Sequence, residues 1–406
     1  MNAIIAQSGG PTSVINSSLA GAISAFIEDD FDHIYLSLNG IEGIISGSYR
    51  EVDNDRFVND NISEKLMARP SSILGSCRFK LSSDMDDEMY KQIFQTLENL
   101  EITSLIYIGG NDSMDTVMKL NSYMDFKNIS GINVIGCPKT IDNDLCQMDH
   151  SPGFGSAAKF INQTLVTLRT DVDIYNLKSV TFVEIMGRNA GWLAASSLIS
   201  NYQADREIVN LLYLPEDDKS LDEVIEEIKK ALERENNLIV ALAEGFRDKE
   251  RILDKVMFSN EDDGFNHKIV SGVGSRLADI VRNELEIKSR AVELSIVQRT
   301  NTTISKTDAK EAYELGYRAG KISKDKTNLI PILIREDDKK YKVTYTYVSP
   351  EKIANLEKKI PSSWLVDKAT LKEKIVDYAL PLIEGEVEQE YKNGLTVFVS
   401  LSDFIL

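Results

Sequence analysis

Short apolar runs recur along this chain, and each ends in a tight polar loop before or after a stretch of helical spacing. Ala3–Ala6 ends at Gly9-Gly10 and is followed by helix-spaced apolar residues from Val14 to Ile27; His33–Leu38 ends at Asn39-Gly40. Met85–Leu100 places Met89, Ile93, Leu97 and Leu100 on one helical face and precedes the run Ser104–Ile108. Asn133–Gly136 and Val180–Ile185 follow, and the amphipathic stretch Lys219–Glu235 leads into Leu238–Ala243. Strands this short, alternating with helices, specify βαβ units and hence an α/β chain with mainly parallel, doubly wound sheets.

The strand-and-loop sites fall into two groups, before about residue 145 and after about residue 175. That grouping predicts two Rossmann-like lobes facing each other across a cleft: 1–145, rejoined by about 297–325, and 146–296. Residues 326–406 are rich in lysine and glutamate, carry two further strand candidates (Lys342–Val348 and Leu395–Leu401), and read as an accessory region.

Composition narrows the class of partner. The 406 residues carry a formal charge of −18, which argues against nucleic acid and anionic membrane surfaces. No apolar run approaches the roughly 18 residues of a membrane span, and Met1–Gly10 lacks the basic start of a signal peptide. Three cysteines (Cys77, Cys137, Cys146) make no disulfide framework, so the expected compartment is a reducing cytoplasm. Only three histidines occur and none forms a zinc-spaced cluster, which leaves acid–base work to carboxylates.

Ligands of parallel sheets bind beyond the carboxyl ends of the strands. The segments there are Ser8-Gly9-Gly10-Pro11-Thr12, Gly109-Gly110-Asn111-Asp112-Ser113, Pro138-Lys139-Thr140-Ile141-Asp142-Asn143-Asp144, Met186-Gly187-Arg188-Asn189 and Ala243-Glu244-Gly245. Glycine lets backbone amides approach an anion, and helix N-termini present unpaired N–H groups to it. One Gly-Gly pair alone is a turn, and Asp142-Asn143-Asp144 alone is an acidic surface turn with Asx hydrogen bonds. Five such loops at strand ends, with Lys139 three residues before Asp142, fit phosphoryl transfer to a hydroxyl, which needs a carboxylate for the proton and cations for the developing charge. No G-x-x-x-x-G-K-[ST] loop is present, and Gly153-Phe154-Gly155-Ser156-Ala157-Ala158 follows Pro152 rather than a strand, so it reads as a helix entry and not a dinucleotide site.

Those five segments, with Val183-Glu184-Ile185 ahead of Met186 and with Gln298-Arg299, resemble in order and spacing the phosphofructokinases, over about residues 1–320. Asp112 and Lys139, where ATP-using members carry glycine, resemble the pyrophosphate-using branch. A carboxylate at Asp112 would repel the α-phosphate of ATP, and Lys139 would neutralise it and stabilise charge on pyrophosphate. The resemblance implies that the 1-hydroxyl of fructose 6-phosphate is the acceptor, with Asp142 as base and Asp144 supporting it. It places Gly10, Arg78, Gly110 and Ser113 on the donor. Thr140, Met186, Gly187, Arg188, Glu244, Arg290 and Arg299 fall on the sugar phosphate, the two last by bidentate contact with the 6-phosphate. It also implies Mg²⁺, and a homodimer or homotetramer in which Arg290 reaches the neighbouring subunit's site.

Three positions depart from the pattern. Asn111 stands where an aspartate commonly positions Mg²⁺, so metal contact there is expected through its carbonyl or a water. Ile296 replaces a frequent His or Tyr near the 6-phosphate, and Ser179, beside Lys178, falls near an arginine often donated by a neighbouring subunit. Two other readings stay open at this level: an ATP-dependent sugar kinase of the same fold, and a non-catalytic sugar-phosphate sensor, which would have no use for the Asp142/Lys139 pair.

Overall fold

The central strands are apolar on both sides, as parallel strands covered by helices on two faces must be. In the computed structural model, which describes residues 1–253, 258–262, 268–270, 272–325, 328–336 and 340–406, β1 (Asn2–Gln7) pairs in parallel with β2 (His33–Ser37). β3 (Tyr49–Glu51) adds antiparallel to β2, while β4 (Ile102–Gly109) and β5 (Asn133–Pro138) extend the sheet in parallel on the other side, in the order β3-β2-β1-β4-β5. Alternate residues of β1 feed opposite cores: Ala3 and Ile5 pack with Leu19 and Phe26, Ile4 and Ala6 with Tyr90, Ile93 and Leu97.

The second sheet contains β6 (Ser179–Ile185), β7 (Leu211–Tyr213) and β8 (Asn237–Ala243). After a separate antiparallel pair, β9 (Phe258–Asp262) and β10 (Lys268–Val270), comes β11 (Lys288–Glu293), and the second sheet runs β11-β6-β8-β7, all parallel. Val183 and Ile185 face the helix Phe154–Val172, and Val180 and Phe182 face the helices Leu221–Leu232 and Val273–Leu285. The first of those two helices starts on a full capping box, Ser220 with Glu223.

The helix Lys306–Ile322 returns to the first sheet and lies against the helix Ile15–Glu28 at very short range. A Cβ on Gly21 would stand 2.0 Å from the Tyr313 carbonyl oxygen, and one on Gly316 would stand 1.9 Å from that of Ser18, so both positions require glycine for the close approach.

The C-terminal residues spread over both sheets. The antiparallel pair β12 (Ile330–Arg335) and β13 (Val343–Val348) buries Ile330 and Ile332 in the first core, whereas the helix Lys368–Ala379 buries Leu371 and Ile375 in the second. The hairpin β14 (Glu390–Lys392) and β15 (Leu395–Val397) follows, and Phe404 closes against Phe57. Residues 326, 327 and 337–339, at the start of the expected accessory region, lie outside the described residues.

The strand expected over Leu395–Leu401 stops at Val397, because Ser400 and Asp403 cap a short 3₁₀ turn beyond it. β3, β7 and β11 escape the apolar pattern: two are three residues long, and β11 is a polar edge strand. Among the described residues, no helix is long and apolar enough to cross a membrane.

Candidate active site

Chain order reverses between β1 and β4, so the loops after these two neighbouring strands open a crevice at the strand ends. Gly9 (φ +73°) turns the first loop, whose carbonyl accepts from Ser76 Oγ at 2.6 Å while its N–H donates to Cys77 O at 3.3 Å. In the second loop Gly110 is the N-cap of the helix Asn111–Lys127 and has no side-chain cap, so the positive end of the helix dipole lies at the crevice. The Ser113 hydroxyl there is buried and has no hydrogen-bond partner.

The third loop is pinned at both ends. Lys139 N donates to Gly109 O at 2.9 Å and Thr140 N to Pro152 O at 3.0 Å. Between the two carboxylates, Asn143 sits buried at φ +57°, donating from Nδ2 to Tyr378 Oη (2.8 Å) and accepting at Oδ1 from Ser151 N (2.9 Å). An αL asparagine anchored on both amide atoms holds Asp142 and Asp144 at the cleft floor. Asp144 Oδ1 has no hydrogen-bond partner.

Lys139 is 1% exposed, and its ammonium donates to Ser8 O at 3.1 Å and Gly10 O at 2.6 Å. The carboxylate that acts on it most strongly is Asp142, where the sequence reading gives it Asp112. Burial pulls the Lys139 ammonium down to about 7, with Asp142 opposing the shift. Burial also raises Asp142, against the charges of Arg188, Lys139 and Arg299. Asp144 rises to about 7 through burial and the neighbouring Asp142, and Glu244 rises to about 7 for the same two reasons. Four groups whose proton affinities are driven together by one desolvated cleft are the arrangement expected of acid–base chemistry.

The second sheet supplies the opposite wall. Gly187 takes φ +131°, Gly245 N donates to Gly187 O at 3.1 Å, and Met186 N donates to Gln298 Oε1 at 3.1 Å, so the loops after β6, β8 and β11 interlock. A Cβ on Gly245 would stand 1.9 Å from Arg188 O, which ties this glycine to the placement of the arginine.

These walls enclose a cleft of about 640 Å³. It is lined by Gly10, Arg78, Gly110, Asn111, Asp112, Ser113, Lys139, Thr140, Asp142, Asp144, Met186, Arg188 and Arg299 among the expected residues. Glu244 stands behind them, close enough to Asp142 for their charges to interact, and Gly187 supports the loop. Arg290 lies apart: on β11 it pairs with Asp171 at 2.9 Å and donates to Thr181 Oγ1 at 3.2 Å. Asn111 lines the cleft, but its amide is committed, with Oδ1 accepting from Asn355 N and Nδ2 donating to Leu356 O, each at 2.6 Å.

Lining positions not anticipated from sequence include Lys80, Arg247 and the C-terminal Asn355, Leu356 and Glu357, which lead to Lys358 on Asp144 O. Lys80 and Arg247 lie within three residues of Arg78 and Glu244, so an extended reading of the same loops would reach them. The 355–358 segment carries no such signal. Among the described residues no group of three His, Cys, Asp or Glu side chains could hold a metal ion. Asp144, whose buried Oδ1 has no hydrogen-bond partner, leaves one carboxylate oxygen uncommitted at the cleft.

Two mainly parallel sheets whose strand-end loops meet over glycines, cations and desolvated carboxylates define an α/β protein with a polar cleft between its sheets. The chain belongs to the phosphofructokinase family: residues 2–322 match the family described as "Phosphofructokinase". It is 31% identical over 411 residues to the pyrophosphate–fructose 6-phosphate 1-phosphotransferase of Halomonas elongata, covering 99% of this chain and 96% of the relative. It is also 31% identical over 382 residues to a sulfofructose kinase of Alkalicoccus urumqiensis, covering 92% and 94%. The pyrophosphate-dependent phosphofructokinase structure from Nitrosospira multiformis superposes with a TM-score of 0.86 at 28% identity, covering 100% of this chain and 97% of that one.

Proposed function

We propose that this protein transfers a phosphoryl group from pyrophosphate to the 1-hydroxyl of fructose 6-phosphate, giving fructose 1,6-bisphosphate and phosphate in a reversible step of glycolysis. The observation that carries the reading is the Asp142–Lys139 pair, desolvated at the junction of the two glycine loops with the arginine-bearing wall. Asp142 takes the proton of the 1-hydroxyl as the oxygen attacks the nearer phosphorus of pyrophosphate, and the bond to the bridging oxygen breaks to release phosphate. Lys139, under the first glycine loop, offsets the charge on the transferring group; an anionic donor raises its proton affinity again and keeps it protonated.

Gly10, Gly110, Ser113 and Arg78 hold the donor, with the open helix N-terminus at Asn111 facing its phosphates. Thr140, Met186, Gly187, Arg188 and Glu244 orient the sugar, and Arg299 grips its 6-phosphate. Asp144 or Asp112, together with the donor, would hold Mg²⁺, which when bound would neutralise charge on the phosphate oxygens. Asn111 shapes the site through its committed amide. Arg290, exposed on an edge strand, serves the site of a second copy in a homodimer or homotetramer. Residues 1–145 with 297–325 form the donor lobe and 146–296 the sugar lobe of this cytoplasmic enzyme.

The donor assignment is tested by Asp112→Gly alone and with Lys139→Gly. Relative kcat/KM for ATP over pyrophosphate is expected to rise by about 10²-fold in the double variant, the order of one lost charge repulsion plus one lost cation. An unchanged ratio in both variants would rule out electrostatic donor selection at these positions.

A further inference from the structure

Residues 355–358 cross the cleft from one wall to the other. At the donor side the Asn111 amide grips the backbone of Asn355 and Leu356 at 2.6 Å on both atoms, and Asn355 Nδ2 donates to Asp115 Oδ1 at 2.8 Å. Asp115 is itself held by Lys119 at 2.8 Å, so this anchor sits on the helix that opens at the donor loop. At the other end Lys358 N donates to Asp144 O at 2.7 Å, and Lys358 Nζ donates to Asp149 O at 2.6 Å. Lys358 O accepts from Trp192 Nε1 at 2.9 Å, which fixes the segment to the sugar lobe.

Between these anchors, Leu356 and Glu357 face the cleft. Glu357 lies close enough to raise the proton affinities of both Asp142 and Asp144. The segment therefore presents an apolar side chain beside the start of the Asn111 helix and a negative charge beside Asp142 and Asp144, held by bonds on three sides. Residues 355–358 themselves lie beyond residue 322, where the match to the family ends.

Resting on the pyrophosphate reading above, we propose that residues 355–358 are a specificity-determining wall that fixes how long a phosphate donor the cleft accepts. On this proposal a two-phosphate donor occupies the space between the glycine loops and the wall. A third phosphoryl group, with or without a nucleoside, meets Leu356 and the Glu357 carboxylate. The donor is thus selected twice, by charge at Asp112 and by length at the wall, and the two devices belong to different parts of the chain. Loosening the wall should admit inorganic tripolyphosphate, which brings in no nucleoside requirement.

The test compares pyrophosphate and tripolyphosphate as donors for Asn355→Ala, which removes the Asp115 anchor, and for Leu356→Gly, which removes the facing side chain and leaves both anchors. The expected result is a rise of about tenfold in the tripolyphosphate-to-pyrophosphate ratio of kcat/KM, the scale of one removed steric contact. A rise in Leu356→Gly counts even if Asn355→Ala lowers Tm and detaches the segment. The same ratio is read without turnover by calorimetric binding of each donor. If the wild-type protein fails to turn over pyrophosphate, the function above falls, while the binding ratio still judges the wall. Ratios unchanged within about twofold in both variants, by binding and by turnover, would overturn the proposal.

Discussion

Asp142→Asn is expected to lower kcat by about 10³-fold, within the range that one positioned general base contributes, with calorimetric binding of fructose 6-phosphate retained. The amide keeps the shape of the carboxylate but cannot take the 1-hydroxyl proton. The pH profile adds a second readout. Burial raises the Asp142 carboxyl, and a base must be ionised to work, so activity rises with pH through a range above that of an ordinary carboxylate. Asp144 and Glu244 are pushed up to about 7 by burial and, next, by the charge of Asp142. Removing that charge lets both fall, so the residual acid limb of the variant shifts to lower pH.

Stability moves in the opposite sense to activity. A carboxylate whose folded proton affinity is raised disfavours the folded state increasingly as pH climbs from its unfolded value, about 3.9, through its folded one. Asp142→Asn should therefore gain in Tm over the wild type at neutral pH and gain little at about pH 4. Unchanged turnover would remove Asp142 from the base role. A Tm gain that is absent at neutral pH would contradict the desolvated environment that makes it a base.

Lys139→Met is expected to lower kcat with pyrophosphate by about 10²–10³-fold, the scale of one lost preorganised donor to developing charge. The methionine fills the same volume, but Ser8 O and Gly10 O lose their ammonium donor, so the first glycine loop loosens and the pyrophosphate KM rises as well. Sugar binding should be spared, because the interlocked loops around Gly187 and Gly245 do not use Lys139. In the free wild-type protein Lys139 titrates near 7, so kcat/KM falls as pH rises through that value. A bound phosphoanion shifts this limb upward in kcat. Lys139→Met should abolish the limb in both profiles. A variant that keeps the alkaline limb would show that another group owns it.

Much of this fold is legible in the chain because β1, β4, β5, β6 and β8 are buried on both faces, and such strands read as continuous apolar runs. The loops that follow them are legible for a related reason: glycines and carboxylates at the ends of parallel strands have few structural uses other than turning or binding. β11 was hidden because an edge strand tolerates Lys288, Arg290 and Glu293, and its polar pattern resembles a loop.

The hydrogen-bond partners of Lys139 were hidden for a different reason. Spacing along the chain puts it near Asp142, but which carbonyls it reaches depends on how three separate loops stack. Asn111 shows the same limit, since a metal contact and a grip on residues 355 and 356 are both reasonable uses of one amide in a glycine loop. Asn355–Lys358 carries no glycine, no apolar period and no paired carboxylates, so only the path of the chain back across the cleft reveals its place there. Arg290 is legible as a cation but not as a contact, because its partner within this chain is Asp171 on a distant helix end.

The most direct measurement is turnover of fructose 6-phosphate with Mg²⁺ and either pyrophosphate or ATP at matched concentrations. Product formation with pyrophosphate, and none above background with ATP, is the expected result. Turnover with ATP and not pyrophosphate would keep the sugar site and contradict the donor assignment, and silence with both would contradict phosphoryl transfer to this sugar.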